Sequence, residues 1–91
     1  MFNSNLTHFL KWSHKYELKE GNKVVYIGIT NNPERRENEH LLEGKVFDKM
    51  NIVGRVSTLK GASTWETDRL HTYMNNHNGE TPKYNKNTSG K

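Results

Sequence analysis

The chain has 91 residues, enough for one small domain whose core must be thin. Hydrophobic residues make up 31% of the sequence, and a net charge of +4 suits a polyanionic partner. The absence of cysteine excludes disulfides, thiolate metal sites and cysteine nucleophiles. The short apolar runs fit neither a signal peptide nor a membrane span. We therefore expect a soluble, intracellular protein that is cytoplasmic in its host.

The first residues have their apolar side chains at helical spacing behind polar residues that can cap a helix. The apolar positions are Phe2, Leu6, Phe9 and Leu10. This pattern predicts a short amphipathic helix over residues 4–13, and we treat residues 1–13 as an N-terminal extension of the domain.

Three strands are predicted after this extension. Polarity alternates over residues 14–19, Gly21 and the following Asn supply a turn, and residues 23–29 are rich in Val, Ile and Tyr, which is typical of a β-hairpin. Residues 51–58 form the third predicted strand, with two apolar side chains on one face and a glycine at a weak or closely packed point. These residues are Ile52, Val56 and Gly54.

Two further helices complete the predicted fold. The first covers residues 33–43, starts at a proline behind Asn32 and stops at Gly44. The second follows Gly61 and covers residues 62–77. The expected fold is α+β, with a three-stranded antiparallel sheet flanked by helices over residues 14–85 and a flexible polar tail over residues 86–91.

The second of these helices has a carboxylate on its apolar stripe. On a helical wheel with about 100° per residue, Glu66 lies near the middle of the arc that the apolar face occupies, together with four other residues. These are Ala62, Leu70, Tyr73 and His77. An acid in this position must be paired, protonated or bound to a cation. The simpler alternative is a pair with Arg69 or a place at the solvent edge of the stripe.

Four other residues stand out, although each also has an ordinary structural explanation. Arg36 and His40 are one turn apart on the first predicted helix, which is otherwise rich in charge and typical of a solvated face. Tyr16 and Tyr26 fall on consecutive strands of the hairpin, where a cross-strand aromatic pair is a common packing device. Their combination and order are more specific than any one of them.

The order of these residues resembles the GIY-YIG nuclease superfamily over roughly residues 14–85. The signature is Tyr26-Ile27-Gly28, preceded by Tyr16 at the interval that the family keeps between its two tyrosines. Four further features of the family also have counterparts in this sequence. In chain order, these features are the loop into the first helix, the catalytic arginine with the residue one turn later, the metal-binding glutamate and the closing element. They are Thr30-Asn31-Asn32-Pro33, Arg36 with His40, Glu66, and Pro82-Lys83-Tyr84-Asn85.

Two positions depart from the family pattern. His14-Lys15-Tyr16 stands where Gly-Ile-Tyr is usual, so the assignment of Tyr16 depends on spacing and strand context. Ile29 stands where several relatives have a lysine, so no general-base lysine is available there. A tyrosine or the histidine must then act as the base.

The resemblance implies a DNA endonuclease that depends on Mg²⁺, with Mn²⁺ able to replace it. It implies six catalytic residues: Tyr16, Tyr26, Arg36, His40, Glu66 and Asn85. Glu66 is the implied metal ligand and Arg36 the implied contact to the scissile phosphate. Tyr26 is the preferred base and His40 the rival, with Tyr16 as a partner or water positioner and Asn85 as a hydrogen-bonding support.

Two alternatives to an active nuclease stay open. One is a nuclease-like DNA-binding module with weak or lost catalysis. The other is a protein-interaction or inhibitor domain that docks through the N-terminal helix. The presence of Arg36, His40 and Glu66 favours the enzyme. The small size of the chain would suit a phage or mobile-element product. We expect the protein to be a monomer or a weak homodimer. The other histidines are interpreted as surface or packing residues, and both tryptophans as core or core-edge residues.

Overall fold

The computed structural model describes residues 12–85, which form a three-stranded antiparallel sheet and two helices. In chain order the elements are β1 (Trp12–Glu20), β2 (Lys23–Thr30), α1 (Pro33–Leu42), β3 (Lys49–Thr58) and α2 (Leu59–Asn75). The strand order is β2-β1-β3, so β1 is central. The predicted α+β fold, with its hairpin, third strand and two following helices, is confirmed.

The register of the central strand places both tyrosines on one face of the sheet. Tyr16 pairs with Gly28 of β2 and with Ile52 of β3, while Leu18 pairs with Tyr26. Because paired residues share a face and alternate residues along a strand do so too, Tyr16, Leu18 and Tyr26 lie together. They belong to one buried apolar cluster.

The other face of the hairpin packs against α2. Glu17 of β1 pairs with Ile27 of β2, and Ile27 contacts Leu70 and Tyr73 in a second buried cluster. Arg69 Nε lies 2.6 Å from Glu17 Oε2, which adds an ion pair between α2 and the central strand. Helix α2 contacts all three strands and therefore holds the domain together.

Both helices begin at side-chain caps. The carbonyl oxygen of the Asn32 side chain accepts a hydrogen bond from Arg35 N at 3.1 Å, which agrees with the predicted start of α1 at Pro33. Thr58 Oγ1 accepts from Gly61 N at 3.1 Å, so α2 begins at Leu59. The predicted start at residue 62 was wrong because Gly61 belongs to the first turn instead of preceding it.

The predicted helix over residues 4–13 lies outside the described residues except for its last two. Trp12 and Ser13 belong to β1, where they pair with Thr58 and Ser57 of β3. That end of the prediction was wrong, because pairing with β3 prevails over local helical spacing. The predicted tail over residues 86–91 also lies outside the described part of the chain.

Strand β3 is irregular at Gly54. The φ of Gly54 is +63°, which is unfavourable for residues other than glycine. Gly54 lies in a bulge, because β1 has one residue between its paired positions Ser13 and Lys15, while β3 has three residues between the partners of these positions. Ile52 and Val56, the two apolar side chains of this strand's predicted face, are 43% and 42% exposed and lie outside the buried core. Within residues 12–85, no helix is long and apolar enough to cross a membrane.

Candidate active site

A buried contact between Tyr16 and His40 joins β1 to α1. The Tyr16 hydroxyl lies 2.7 Å from His40 Nε2, and both residues have no exposed surface. His40 is the buried residue of α1, so this contact anchors the helix on the sheet. The one-turn spacing between Arg36 and His40 then fixes where the arginine lies.

Tyr26 packs beside this pair. Its ring centroid is 4.7 Å from that of His40 and 6.0 Å from that of Tyr16. The structure therefore brings the two tyrosines and the histidine together. All three come from elements that follow each other closely in the chain.

Gly28 makes room for the two tyrosines. A Cβ at this position would lie 2.7 Å from the Tyr16 hydroxyl and 2.7 Å from Tyr26 Cε2, closer than real Cβ atoms approach such neighbours. The sequence pattern included Gly28 in the signature without giving it a role. The role depends on the register that sets Gly28 opposite Tyr16, which the pattern alone does not define.

Arg36 lies at the open side of the cluster, with 24% of its side chain exposed. Its Nη1 donates to Glu39 Oε1 at 2.9 Å, and Glu43 Oε2 is 4.0 Å away. Burial raises the pKa of Tyr26, while a hydrogen bond and the positive charge of Arg36 lower it. The guanidinium is thus within reach of the tyrosine and also faces solvent.

The protonation states of the buried pair follow from its surroundings. Burial, followed by the effect of Tyr26, raises the pKa of Tyr16 well above its ordinary value. Burial, followed by the positive charges of Arg36 and Lys45, lowers the pKa of His40 to about 4. Near neutral pH, Tyr16 therefore keeps its proton and His40 is a neutral imidazole, and one hydrogen bond joins the phenol to Nε2.

The Nδ1 atom of His40 is buried. It has no hydrogen-bond partner among residues 12–85, and Glu43 Oε1 is 3.8 Å from it. Because Glu43 has half of its side chain exposed, it does not offset the burial of the imidazole, and the neutral form prevails.

Glu66 of α2 is 1% exposed, which is unusual for a carboxylate. Its negative charge raises the pKa of both Tyr16 and Tyr26, so it acts on the same cluster. The alternative of a solvent-edge position is wrong, and Arg69 forms its ion pair with Glu17.

The structure buries every residue of the predicted apolar stripe of α2 except the last one. Ala62, Leu70 and Tyr73 are buried with Glu66. His77 lies beyond the end of the helix and is exposed, so its place in the buried stripe was wrong. Its ring stacks on Tyr73 with centroids 3.7 Å apart, which fits the interpretation of His77 as a packing residue.

The described residues contain no group of three or more His, Asp or Glu side chains that could together hold a metal ion. A metal here would rest on Glu66, with water and substrate oxygens filling the other positions. Mg²⁺ commonly binds in this way, through one or two carboxylates and phosphate oxygens. The buried carboxylate beside the tyrosines is compatible with such an ion.

Asn85 supports the strand that bears Tyr26. Its side-chain oxygen accepts from Ile27 N at 2.8 Å, and its amide nitrogen donates to Ile27 O at 3.0 Å. Tyr84 N also donates to Val25 O at 2.9 Å. Residues 84 and 85 therefore satisfy the outer edge of β2, and Asn85 acts on the site through the backbone next to Tyr26.

Lys45 was not identified from the sequence. Its Nζ lies 5.5 Å from the centroid of the Tyr26 ring, and its charge contributes to the low pKa of His40. It follows Gly44 in the loop after α1, where a single lysine gives no pattern. Only the folded position of this loop reveals it.

The sheet and the residues gathered on it define a small α+β domain with two tyrosines, a histidine, an arginine and a buried glutamate. A model of the GIY-YIG catalytic domain matches residues 12–68, which is more than half of the chain. The chain therefore belongs to the GIY-YIG family, a nuclease family whose members act on DNA. No curated protein and no solved structure matches the chain. Asn85 lies beyond the matched region.

Proposed function

We propose that this protein is a metal-dependent endonuclease that hydrolyses phosphodiester bonds in DNA. The observation that supports this most is the contact of 2.7 Å between the Tyr16 hydroxyl and His40 Nε2, with the Tyr26 ring beside it. A neutral histidine, two phenols, a guanidinium and a carboxylate provide the groups that phosphodiester hydrolysis needs. These are a base, a cationic contact to the phosphate and an anionic metal ligand.

Arg36 is the proposed contact to the scissile phosphate. Its planar fork can hold two phosphate oxygens, and part of its side chain is accessible. The exposed carboxylate of Glu39 now accepts one of its hydrogen bonds. An incoming phosphate can replace this weak surface ion pair at little cost.

Tyr26 is the proposed general base. Burial raises the pKa of Tyr26, and the hydrogen bond with Arg36 opposes this rise by favouring the ionised phenol. The alternative is a relay in which Tyr16 takes a proton from water while it passes its own proton to His40 Nε2. Comparison of cleavage by Tyr26→Phe and His40→Gln distinguishes them, because the relay predicts the larger loss in His40→Gln.

Glu66 is the residue that would hold the metal ion. When bound, the ion would supply stabilisation of negative charge on the phosphate oxygens. The removal of water from around Glu66 strengthens its attraction for a cation. The negative charge of Glu66 adds to burial, the main cause, in raising the pKa of both tyrosines.

Substitution of Glu66 and Arg36 tests the proposal, because the two variants should fail differently. Glu66→Gln should abolish plasmid nicking with Mg²⁺ and with Mn²⁺, while DNA affinity holds or rises as a negative charge is removed. Arg36→Ala should lower the cleavage rate at saturating DNA by about 10²–10³, and Arg36→Lys should restore it only in part.

Matched controls are available on α1. Glu34→Gln and Arg35→Ala change the same charges at exposed positions and should cleave as the wild type does. Circular dichroism should show that every variant is folded. Wild-type protein that binds DNA but cleaves none with either metal would contradict the proposal and favour a DNA-binding module.

A further inference from the structure

A cavity of about 350 Å³ lies next to the tyrosine cluster and has no place in the catalytic scheme above. It is lined by Glu43, Gly44, Lys45, Lys83 and Tyr84. One wall comes from the loop after α1 and the other from the segment after α2. Two parts of the chain that are distant in sequence thus build one concave surface.

The walls of this cavity are cationic around one aromatic ring. Lys45 Nζ lies 6.0 Å and Lys83 Nζ 5.2 Å from the centroid of the Tyr84 ring. The ring holds both ammonium groups near the cavity by cation–π attraction. Two ammonium groups facing a shared space favour an anionic ligand.

The same lysine connects the cavity to the proposed catalytic residues. Lys45 Nζ is 5.5 Å from the Tyr26 ring centroid as well as 6.0 Å from that of Tyr84. A phosphate in the cavity would therefore lie close to a phosphate placed at Tyr26, with Lys45 between them.

The lining groups are held in position before any ligand arrives. Lys45 has only 15% of its side chain exposed and donates to Glu43 Oε1, while its backbone N donates to His40 O at 3.2 Å. The Tyr84 hydroxyl accepts from Val46 N at 3.0 Å, which leaves its own hydrogen able to donate to a ligand oxygen.

We propose that this cavity binds a backbone phosphate of the DNA strand adjacent to the scissile phosphate, through Lys45, Lys83 and the Tyr84 hydroxyl. The inference rests on the proposed endonuclease function and adds a second phosphate contact to it. Such a contact fixes the register of the strand against Tyr26 and Arg36 without reading the base sequence.

Glu43 is the one acid in the lining and opposes an anion. It is half exposed, so solvent screens its repulsion, and its hydrogen bond with Lys45 keeps that lysine in place. The hydrogen bond from Lys45 lowers the pKa of Glu43, so the pair stays ionised near neutral pH. A bound phosphate would thus replace the Glu43 carboxylate as the hydrogen-bond acceptor of Lys45.

The first test measures how DNA affinity depends on salt. The variants are Lys45→Gln, Lys83→Gln and the double variant, with Lys23→Gln and Lys60→Gln as controls at exposed positions away from the cavity. Fluorescence anisotropy with a short duplex and Ca²⁺ in place of Mg²⁺ gives Kd over a range of salt concentrations. The double variant should bind DNA at least tenfold more weakly than the wild type. A plot of the logarithm of its association constant against the logarithm of the salt concentration should be less steep by about 0.9, as expected for one lost phosphate contact.

The second test locates the phosphate. Duplexes are made with one neutral methylphosphonate on the 5′ or the 3′ side of the mapped cleavage position. Wild-type protein should lose affinity for one of the two, and the double variant should bind both equally. KM for cleavage should rise more than kcat falls in Lys83→Gln, because that contact exists before the chemical step.

The outcomes separate this inference from the function on which it rests. If wild-type protein neither binds nor cleaves DNA, the proposed function fails. If it cleaves DNA but the double variant matches the control variants, the cavity is not a phosphate site and only the inference is overturned. Titration with inorganic phosphate, followed by NMR, addresses a free anion as ligand. Lys45-dependent binding of phosphate with unchanged DNA affinity would also overturn the inference.

Discussion

Gly28 shows how one residue without a side chain shapes a site made of large ones. The Tyr16 hydroxyl and the Tyr26 ring both occupy the space that a Cβ at Gly28 would need. Neither ring can withdraw easily, since both belong to the same buried cluster. The requirement for glycine is steric and comes from the two tyrosines.

We therefore expect Gly28→Ala to disturb the site more than its size suggests. Overpacking of this kind typically costs about 1–3 kcal/mol, and the displaced tyrosines should lose their contacts to His40 and Arg36. Urea unfolding and plasmid nicking provide the measurements. Gly61→Ala is the control and should leave nicking intact, because its Cβ would meet Thr58 Oγ1 at 3.3 Å, a tight contact that a small shift relieves, and would not meet the tyrosines. A fully active Gly28→Ala protein would show that the tyrosine positions are not critical.

His40 makes the stability of the domain depend on pH. Its pKa falls from 6.5 to about 4 on folding, so the unfolded chain binds a proton more readily than the folded one. Its contribution is therefore intact above pH 6.5 and is lost progressively as the pH falls toward 4. At pH 5 the loss is roughly 2 kcal/mol from this group.

The measurement is urea unfolding at pH 7.5 and pH 5.0 for the wild type and for His40→Gln. The wild type should lose about 2 kcal/mol more than the variant over this interval, because glutamine does not titrate. An equal loss in both proteins would mean that the imidazole is not kept neutral by folding.

The sequence predicted some of these residues and missed others for physical reasons. Glu66 was identified because a carboxylate on an apolar helical stripe is visible in the spacing. Arg36 and His40 were singled out by their one-turn separation, and the resemblance to the GIY-YIG superfamily supplied their roles. Gly28 and Lys45 act through contacts across strands and between loops, and such contacts depend on register and on loop conformation.

At the scale of the elements, the outer edge of β2 is completed by the segment after α2. Asn85 satisfies both backbone groups of Ile27, and Tyr84 N donates to Val25 O. Strand β2 also bears Tyr26, so the segment that closes the sheet also fixes a proposed catalytic residue. An unpaired edge would leave buried polar groups without partners.

We expect Asn85→Ala to act through stability. The loss of both hydrogen bonds to Ile27 should cost about 1–3 kcal/mol of unfolding free energy. Cleavage should then fall in proportion to the folded fraction, as measured by urea unfolding and nicking at one temperature. Asn75→Ala, at an exposed position on α2, is the control. Loss of cleavage with unchanged unfolding free energy would mean that Asn85 contacts the substrate directly.

The boundaries of the elements were predicted less well than their existence. The start of α2 depends on the Thr58 cap, which places a glycine inside the first turn. The start of β1 depends on its pairing with β3, which a local spacing rule does not include. The pairing with β3 is a tertiary contact, whereas the Thr58 cap is local and could have been recognised in the sequence.

The whole molecule combines a thin core with a single cluster of proposed catalytic residues. One chain supplies all of these residues, which are Tyr16, Tyr26, Arg36, His40 and Glu66. The charges of Arg36 and Glu66 both affect the pKa values of the two tyrosines. No residue of a second copy is needed to complete the set. Each chain therefore contains one complete candidate site.

A single site of this kind should cut one DNA strand in each binding event. We expect supercoiled plasmid to become nicked circles first, with linear DNA appearing only after a second, independent nick. Gel analysis over time at low protein concentration measures both products, and the nicking rate should rise linearly with protein concentration. Arg36→Ala provides the control for contaminating nucleases. The appearance of linear DNA without nicked circles, with a rate that rises as the square of protein concentration, would instead show that two copies act together on one duplex.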